Sequence, residues 1–496
     1  MNVHLQSPEQ AAQWLRGRVS GRLTTDSRQI TKGDGFIAWP GAATDGRAYV
    51  GQAVETGAVC CLVERAGVER FGLRGDALAD YSDLKAATGP IANFYYGDPS
   101  RALDVVAVTG TNGKTSVSWW LAQALTRVRR RCGVVGTLGI GEPGAMVSNG
   151  LTTPDPVLLH QQLRQFVDAA FAACAIEASS IGLCEHRLDG MAIKVAVFTN
   201  FTQDHLDYHG TMARYWNAKR ALFDWPGLKA AVINIDDPKG LALSCDLDTR
   251  SLDVWTCSCD TPARLRACDI RNTAQGLAFD LVEGAERHTL QTHMVGRFNV
   301  SNVLGVIGTL RALGVPLVDA VGACTLLLPV PGRLETLTFE HQPMVVVDYA
   351  HTPDALEKVL LALKPVATTR EGQLWCIFGC GGDRDTGKRP MMAELAERYA
   401  DRVVVTSDNP RFEDAQAIID QILLGLRDRS SALVITDRAA AISQVLTQAQ
   451  PNDVVLVAGK GHENYQEIRG LRAHFSDFEE AERALVIRRL CQESDA

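Results

Sequence analysis

Val105-Val106-Ala107-Val108-Thr109-Gly110-Thr111-Asn112-Gly113-Lys114-Thr115-Ser116 is the stretch that decides the fold. An apolar, β-branched run stops at a glycine-bounded turn, and a helical pattern begins directly after it. That is how a phosphate-binding loop reads: a buried strand, then backbone N–H groups and a lysine converging on a polyphosphate at a helix N-terminus. Thr115 stands where a hydroxyl reaches Mg²⁺. Two residues separate the glycines instead of the usual four, so the competing reading is an ordinary strand–turn–helix corner. The lysine and threonine directly after Gly113 favour ATP or GTP binding, which by itself names no reaction.

Outward from this loop, residues 102 to 330 alternate strands and helices. Strands are expected at Val105–Thr109, Gly133–Thr137, Ala173–Ala178, Val195–Thr199 and Ala230–Ile235, with helical patterns after Lys114, Pro156 and Thr211. This alternation predicts a mostly parallel, doubly wound sheet whose ligands sit at the carboxyl ends of the strands. Glu177 ends an otherwise apolar strand, where a carboxylate is costly unless paired or on a metal. Past the next strand, Thr199-Asn200-Phe201-Thr202-Gln203-Asp204-His205-Leu206-Asp207-Tyr208-His209-Gly210 bunches polar groups, and His205 is a candidate for a metal or a phosphate. On residue type alone, Lys219 on the following helix reads as a solvated surface lysine.

Residues 331 to 496 read as another α/β domain, with strands at Val345–Val347, Leu374–Phe378, Arg402–Thr406, Ala432–Ile435 and Val454–Val457. The loops after four of them are polar: Asp348-Tyr349-Ala350-His351, Gly379-Cys380-Gly381-Gly382-Asp383-Arg384-Asp385, Ser407-Asp408-Asn409-Pro410-Arg411 and Gly459-Lys460-Gly461-His462-Glu463. Four such loops on one sheet edge argue for a second functional face. Gly-Cys-Gly-Gly lacks the spacing of a dinucleotide fingerprint, so no second nucleotide is expected there. Residues 1 to about 100 form a separate opening segment, with a buried strand at Ala58–Val63 after a helix ending near Gln52–Glu55. Its two polar turns, Thr24–Arg28 and Gly41–Arg47, stay unassigned on residue type alone.

A chain of 496 residues is too long for one core and implies about two to four domains. Its 46% apolar and 22% charged residues fit an ordinary globular protein, and a net charge of −8 argues against a general nucleic-acid or membrane-surface binder. No signal peptide is evident at the start, and no uncharged stretch is long enough to span a bilayer. The thirteen cysteines include no Cys-x-x-Cys and read as small buried hydrophobes in a reducing cytoplasm.

Gly110-Thr111-Asn112-Gly113-Lys114-Thr115 strongly resembles the ATP loop of the Mur ligases and folylpolyglutamate synthetases. The resemblance continues through Glu177-Ala178-Ser179-Ser180, Asp204-His205-Leu206-Asp207-Tyr208-His209, Gly296-Arg297-Phe298-Asn299, Pro331-Gly332-Arg333, Asp348-Tyr349-Ala350-His351-Thr352-Pro353 and Gly459-Lys460-Gly461-His462-Glu463. Asp408-Asn409-Pro410-Arg411 is similar to the motif of Mur ligases that add meso-diaminopimelate instead of L-lysine. The resemblance implies three α/β domains: a smaller UDP-binding one over 1–101, a phosphate-loop ATPase over 102–330 and a Rossmann-like amino-acid domain over 331–496. It implies a reaction in which ATP phosphorylates the D-glutamyl γ-carboxylate of UDP-N-acetylmuramoyl-L-alanyl-D-glutamate, and the diaminopimelate amine displaces the phosphate. A cytoplasmic monomer acting on small molecules in peptidoglycan synthesis is expected, with no nucleic acid and no membrane insertion.

Carried over by resemblance, Gly110, Thr111, Asn112, Gly113, Lys114, Thr115 and Ser116 cradle the ATP phosphates, and Asn299, Arg333 and Asp348 surround the nucleotide. Thr115, Glu177, His205 and Lys219 match metal positions for Mg²⁺, with Lys219 as a carbamate. Lys114, Lys219 and His205 are thereby the catalytic candidates. Thr25, Ser27, Ala42, Ala43 and Thr44 match the UDP region; Thr152, Thr153, Ser179, Glu185 and Arg187 match the muramoyl-dipeptide. Arg384, Asp408, Asn409, Pro410, Arg411, Gly459 and Glu463 match the diaminopimelate pocket, where Arg411 offers a bidentate fork.

The chain departs from the pattern in places. Ile181 stands where relatives carry a histidine, and Ala42-Ala43 replaces a more polar pair. Glu185 stands where a glutamine is common, and beside an anionic substrate it needs a cation, for which Arg187 is the sequence candidate. The alternatives are another amide ligase (folylpolyglutamate-type or lysine-adding) and a phosphate-loop switch or transport ATPase. In the last of these, Lys219 would be dispensable.

Overall fold

Asp104–Thr109 lies in the middle of an eleven-stranded sheet. The strands run in the order Glu286–Thr292, Gly276–Glu283, Leu265–Thr273, Asp253–Ser258, Ala230–Asn234, Val195–Phe198, Asp104–Thr109, Ala173–Glu177, Cys132–Gly136, Gly139–Glu142 and Ala145–Val147. The structure is a computed structural model and describes residues 3–41, 44–273 and 276–494. Every neighbour from Leu265–Thr273 through Cys132–Gly136 pairs parallel, as the strand–helix alternation predicts. Each edge is then extended by an antiparallel pair that the sequence reading does not anticipate.

Alternation along Asp104–Thr109 sends side chains to two cores. Val106 and Val108 pack with Val117, Leu121 and Leu125 of the helix Lys114–Arg127 and with Val303, Leu304 and Ile307 of Arg297–Ala312. Val105 and Ala107 pack on the other face with Leu159 and Leu163 of Pro156–Asp168. A strand buried on both faces reads as the continuous apolar run seen in the sequence. The chain goes from this strand to Cys132–Gly136 on one side and later to Val195–Phe198 on the other. The phosphate loop therefore sits at the point where the strand order reverses, which is where such sheets bind ligands.

The amino-terminal sheet is five-stranded, in the order Val3–His4, Leu78–Tyr81, Cys60–Glu64, Gly35–Ala38, Leu23–Thr24, all parallel. Its helix Leu84–Tyr95 packs against Pro156–Asp168 of the central region. Gly89 lies so close to the Asp189 carbonyl that a Cβ would collide with it. The carboxyl-terminal sheet has six strands: Glu335–Leu337, Met344–Asp348, Val454–Ala458, Leu374–Phe378, Arg402–Val405 and Ala432–Val434. Only the first pairing is antiparallel, and all five expected strands are present within a residue or two. A hairpin of Tyr465–Ile468 and Leu471–His474 leans on Arg411, which forms a bridge with Ile468.

Arg438 and Asp477 are fully buried beneath this sheet and joined at 2.7 Å. The guanidinium also donates to the carbonyls of Ser407 and Ala458, the residues from which two polar loops depart. The twelve cysteines from Cys60 to Cys380 are free, and among the described residues no helix is long and apolar enough to cross a membrane.

Candidate active site

Gly110 and Gly113 have φ of +149° and +84°. A Cβ on Gly110 would run into Thr199 and Asn200, and one on Gly113 would stand 2.6 Å from the Asn302 Oδ1. Both positions favour glycine for conformation, and Gly110 also for space, since the Asn200 backbone stands 3.0 Å from where its Cβ would be. The loop between them is held from the neighbouring strand: Asn200 takes the Asn112 N–H on its Oδ1 at 2.9 Å, and Thr199 donates to the Asn112 carbonyl at 2.6 Å. What remains free is the face of the loop that looks into a cavity of about 840 Å³.

Two amines converge on one carbonyl there. The Gly110 oxygen accepts from Lys114 Nζ at 2.9 Å and from Lys219 Nζ at 2.7 Å. Lys219 is buried, over the ring of Tyr215. Burial pushes its ammonium well below the usual lysine range, and the charge of Lys114 adds to the effect. Burial lowers Lys114 too, against the pull of Glu177 and Asp204. Two crowded cations of this kind are a site for anions. The surface-lysine reading of Lys219 is corrected: the helix Met212–Arg220 turns it inward, toward the loop.

Glu177 ends its strand fully covered, with its carboxylate satisfied by the hydroxyls of Thr115 (3.0 Å) and Thr137 (3.1 Å) and the Thr137 N–H (2.8 Å). Thr115 Oγ and the Glu177 carboxylate thus offer adjacent oxygen donors at a helix N-terminus. That is the kind of set Mg²⁺ uses when substrate phosphates complete its shell. His205 (φ +52°) lines the same cavity, 3.4 Å from the Asp204 carboxylate. Burial lowers its pKa, opposed by Asp204, so it faces the cavity as a neutral imidazole. Among the described residues no three His, Cys, Asp or Glu side chains form a metal cluster. Thr115, Glu177, His205 and Lys219 share a cavity without closing into a ready-made centre.

The carboxyl-terminal sheet closes the cleft. Arg333 donates to Thr115 Oγ at 3.2 Å and lies over Tyr349. Asp348 receives the N–H groups of Leu334 (2.7 Å) and Ala350 (2.8 Å), and burial raises its pKa despite Arg333. Asn299 and Asn302, three apart on one helix, are bonded to each other at 3.1 Å. An apolar slot of Ile270, Leu277, Phe298, Val359 and Ala362 lines the rest of the cavity. The sequence reading misses it, because these residues lie on four separate elements. It also misses Asp354, whose carboxylate takes the Asn112 side-chain N–H at 2.8 Å and ties the loop to the helix Pro353–Thr369.

Thr152 and Ser179 line the cavity beside Thr153, whose hydroxyl meets Ser179 Oγ at 2.9 Å. Arg187 donates to the Thr153 carbonyl at 2.8 Å. The expected Glu185–Arg187 pairing is corrected: Glu185 forms its ion pair with Lys85 at 2.7 Å and accepts from the Tyr208 hydroxyl. A nearer amine across the seam takes the carboxylate, while Arg187 is held by a backbone carbonyl. Thr25 stands beside Asp155, and Ser27 opens the turn Ser27–Gln29. The Thr44 carbonyl accepts from Gly41, while Ala42 and Ala43 lie outside the described residues.

On the third sheet, Asp408–Arg411, Gly459 and Glu463 come together. Arg411 (φ +52°) donates to the Gly382 carbonyl at 2.7 Å, and a Cβ on Gly459 would stand 2.7 Å from the Asp408 carboxylate. Asn409 is turned inward: its amide is engaged by Glu463 (2.8 Å), the buried Lys460 (3.0 Å) and the Glu467 N–H (2.9 Å). Arg384 stays exposed and donates to the carbonyl of its neighbour Asp383.

Three family models match the chain: the Mur ligase family catalytic domain over residues 21–87, the Mur ligase middle domain over 108–310, and the Mur ligase glutamate ligase domain over 332–461. A protein of Acidovorax sp. (strain JS42) named UDP-N-acetylmuramoyl-L-alanyl-D-glutamate--2,6-diaminopimelate ligase is 60% identical over 97% of both chains. One of the same name from Janthinobacterium sp. (strain Marseille) is 48% identical over 96% of each. A solved structure of a ligase of that name has a TM-score of 0.66 at 35% identity, covering 94% of this chain and 95% of the other. MurF from Acinetobacter baumannii, at 18% identity, shares the fold with a TM-score of 0.65 over 98% and 99% of the two chains.

Proposed function

The chain belongs to the Mur ligase family, and from that premise we propose that it is an ATP-dependent ligase of peptidoglycan synthesis. It joins meso-2,6-diaminopimelate to UDP-N-acetylmuramoyl-L-alanyl-D-glutamate, working as a cytoplasmic monomer of three domains divided near 101/102 and 330/331. The observation that carries this reading is the single cleft in which the phosphate loop, Glu177, Lys219 and Arg333 meet between two sheets. The names of the relatives at 60% and 48% identity supply the substrates.

A carboxylate is a poor acyl donor, and phosphorylation gives it a leaving group. A γ-carboxylate oxygen of the D-glutamyl residue attacks the γ-phosphorus of ATP, and ADP leaves. The diaminopimelate amine then attacks the acyl carbon, phosphate departs with that oxygen, and the nitrogen loses a proton. The loop from Gly110 to Ser116 holds the phosphates, with Lys114 at the β/γ end and Arg333 opposite it. The slot of Ile270, Leu277 and Phe298 takes the base, with Asn299 and Asp348 around the ribose.

Thr115, Glu177 and His205 would hold Mg²⁺, which supplies charge screening between the two anions that must approach each other. Lys219, whose ammonium burial destabilises, gives up its proton more readily than a surface lysine, and the free amine adds CO₂: an N–C bond forms, a second proton leaves, and a cationic side chain becomes an anionic oxygen donor. Thr25, Ser27 and the Ala42–Thr44 turn take the UDP end, and Thr152, Thr153, Ser179, Glu185 and Arg187 border the dipeptide. Arg384, Asp408, Asn409, Pro410, Arg411, Gly459 and Glu463 form the diaminopimelate pocket. There the Asn409 side chain supports Glu463, and Arg411 meets the distal carboxylate.

Phosphate release with ATP and the UDP-muramoyl-dipeptide tests the reading. Release is expected with meso-diaminopimelate and not with L-lysine. Release with no amino acid present would place the chain among simple ATPases instead.

A further inference from the structure

Lys85 and Glu185 each occupy a position that local electrostatics disfavours. Lys85 is in the first turn of Leu84–Tyr95, where the helix presents its positive end. Glu185 caps the carboxyl end of the short helix Ser180–Cys184, where carbonyls point outward. They meet at 2.7 Å across the seam between the first and second sheets, both partly exposed. The other Glu185 oxygen accepts from Tyr208, on the segment that carries His205. Burial raises the Glu185 pKa, but the bonds from Lys85 and Tyr208 and the charge of Arg187 outweigh it, so the group stays ionised. A carboxylate is thus held anionic at the carboxyl end of the helix Ser180–Cys184, whose N-cap Ser179 meets Thr153, and Arg187, whose charge acts on it, donates to the Thr153 carbonyl.

We propose that Lys85 is a positioning residue for the anionic donor substrate: it neutralises Glu185 at the edge of the dipeptide site and fixes that edge to the first sheet's helix. The proposal rests on the donor named above. A surface ion pair of this kind contributes little to stability. Its value lies in cancelling a charge that would otherwise repel the dipeptide's carboxylates.

The experiment is a set of three variants, Lys85→Met, Glu185→Gln and the pair together, with KM measured for each substrate of the ligation. Lys85→Met is expected to raise the KM for the UDP-muramoyl-dipeptide about tenfold, with those for ATP and diaminopimelate within about twofold. Tenfold, about 1.4 kcal/mol, is the size of one uncompensated charge acting on another through a protein's effective dielectric. Adding Glu185→Gln is expected to bring the donor KM back to that of Glu185→Gln alone, a rescue that a merely structural lysine would not show. The proposal is overturned by an unchanged donor KM in Lys85→Met, by a double variant that keeps the whole increase, or by equal increases for all three substrates. Absence of any ligation by the wild-type protein would instead overturn the reaction itself, and this proposal with it.

Discussion

Replacing Lys219 with alanine removes everything beyond Cβ from a side chain that is 1% exposed. It also removes one of two amines on the Gly110 carbonyl, whose other donor, Lys114 at 2.9 Å, remains. That carbonyl is therefore not left unpaired, and relief of the lysine's desolvation offsets part of the lost packing against Tyr215. The fold should lose only about 1–2 kcal/mol, or a few degrees in the melting transition. The reaction loses far more, because a preorganised charged group is removed from a dry site where two anions meet. Removing one such group costs about 3–4 kcal/mol, so ligation should slow by about 10²–10³-fold. Phosphate release with all three substrates gives the rate, and calorimetry checks the fold. A kcat within about threefold of wild type would refute the assignment. In parallel, wild-type protein equilibrated with ¹³C-bicarbonate should show a carbamate carbonyl signal that Lys219→Ala lacks, and its absence from the wild type would refute the carbamate.

Arg411→Ala should raise the diaminopimelate KM by about 10²-fold, the worth of a bidentate charged contact, and leave that for ATP within about twofold. An equal rise in both would remove Arg411 from the pocket. Asp477→Ala leaves the fully buried Arg438 without its carboxylate at 2.7 Å and should cost about 3–5 kcal/mol in denaturant unfolding. A loss under about 1 kcal/mol would show that Arg438 does not depend on this carboxylate. His160 is fully buried, and burial depresses its pKa to about 4. Below about pH 6.5 the unfolded chain takes up a proton that the folded histidine refuses until about pH 4. Stability should therefore fall across that window by up to about 1.4 kcal/mol per pH unit from this group. His160→Gln should flatten this acid limb of the melting temperature, and an unchanged slope would refute it.

The central strands are legible because they are buried on both faces: the sequence predicts Val105–Thr109, and the strand runs Asp104–Thr109. In the first hundred residues the sequence marks one strand of five, since Val3–His4 and Leu23–Thr24 are too short to carry a period. The antiparallel edge does alternate, at Leu277, Phe279 and Leu281, but its partner strand is interrupted by a bulge between Cys268 and Arg271. At the site, residues local to one motif could be named from sequence, as with Gly110–Ser116. Contacts made across the fold could not: Glu185 pairs with a lysine a hundred residues away, and Asn112 bonds an aspartate on the helix Pro353–Thr369. The inward turn of Asn409 was hidden for the same reason, because Lys460 reaches it from a different strand end.

The central claim is that the cleft activates a carboxylate by phosphoryl transfer and then gives it up to an amine. It is tested most directly with UDP-muramoyl-dipeptide carrying ¹⁸O in the D-glutamyl γ-carboxylate, incubated with ATP and meso-diaminopimelate, with the released phosphate analysed by mass. The account predicts one ¹⁸O in each phosphate, formed in step with the amide. Unlabelled phosphate, released alongside product or without it, would contradict it.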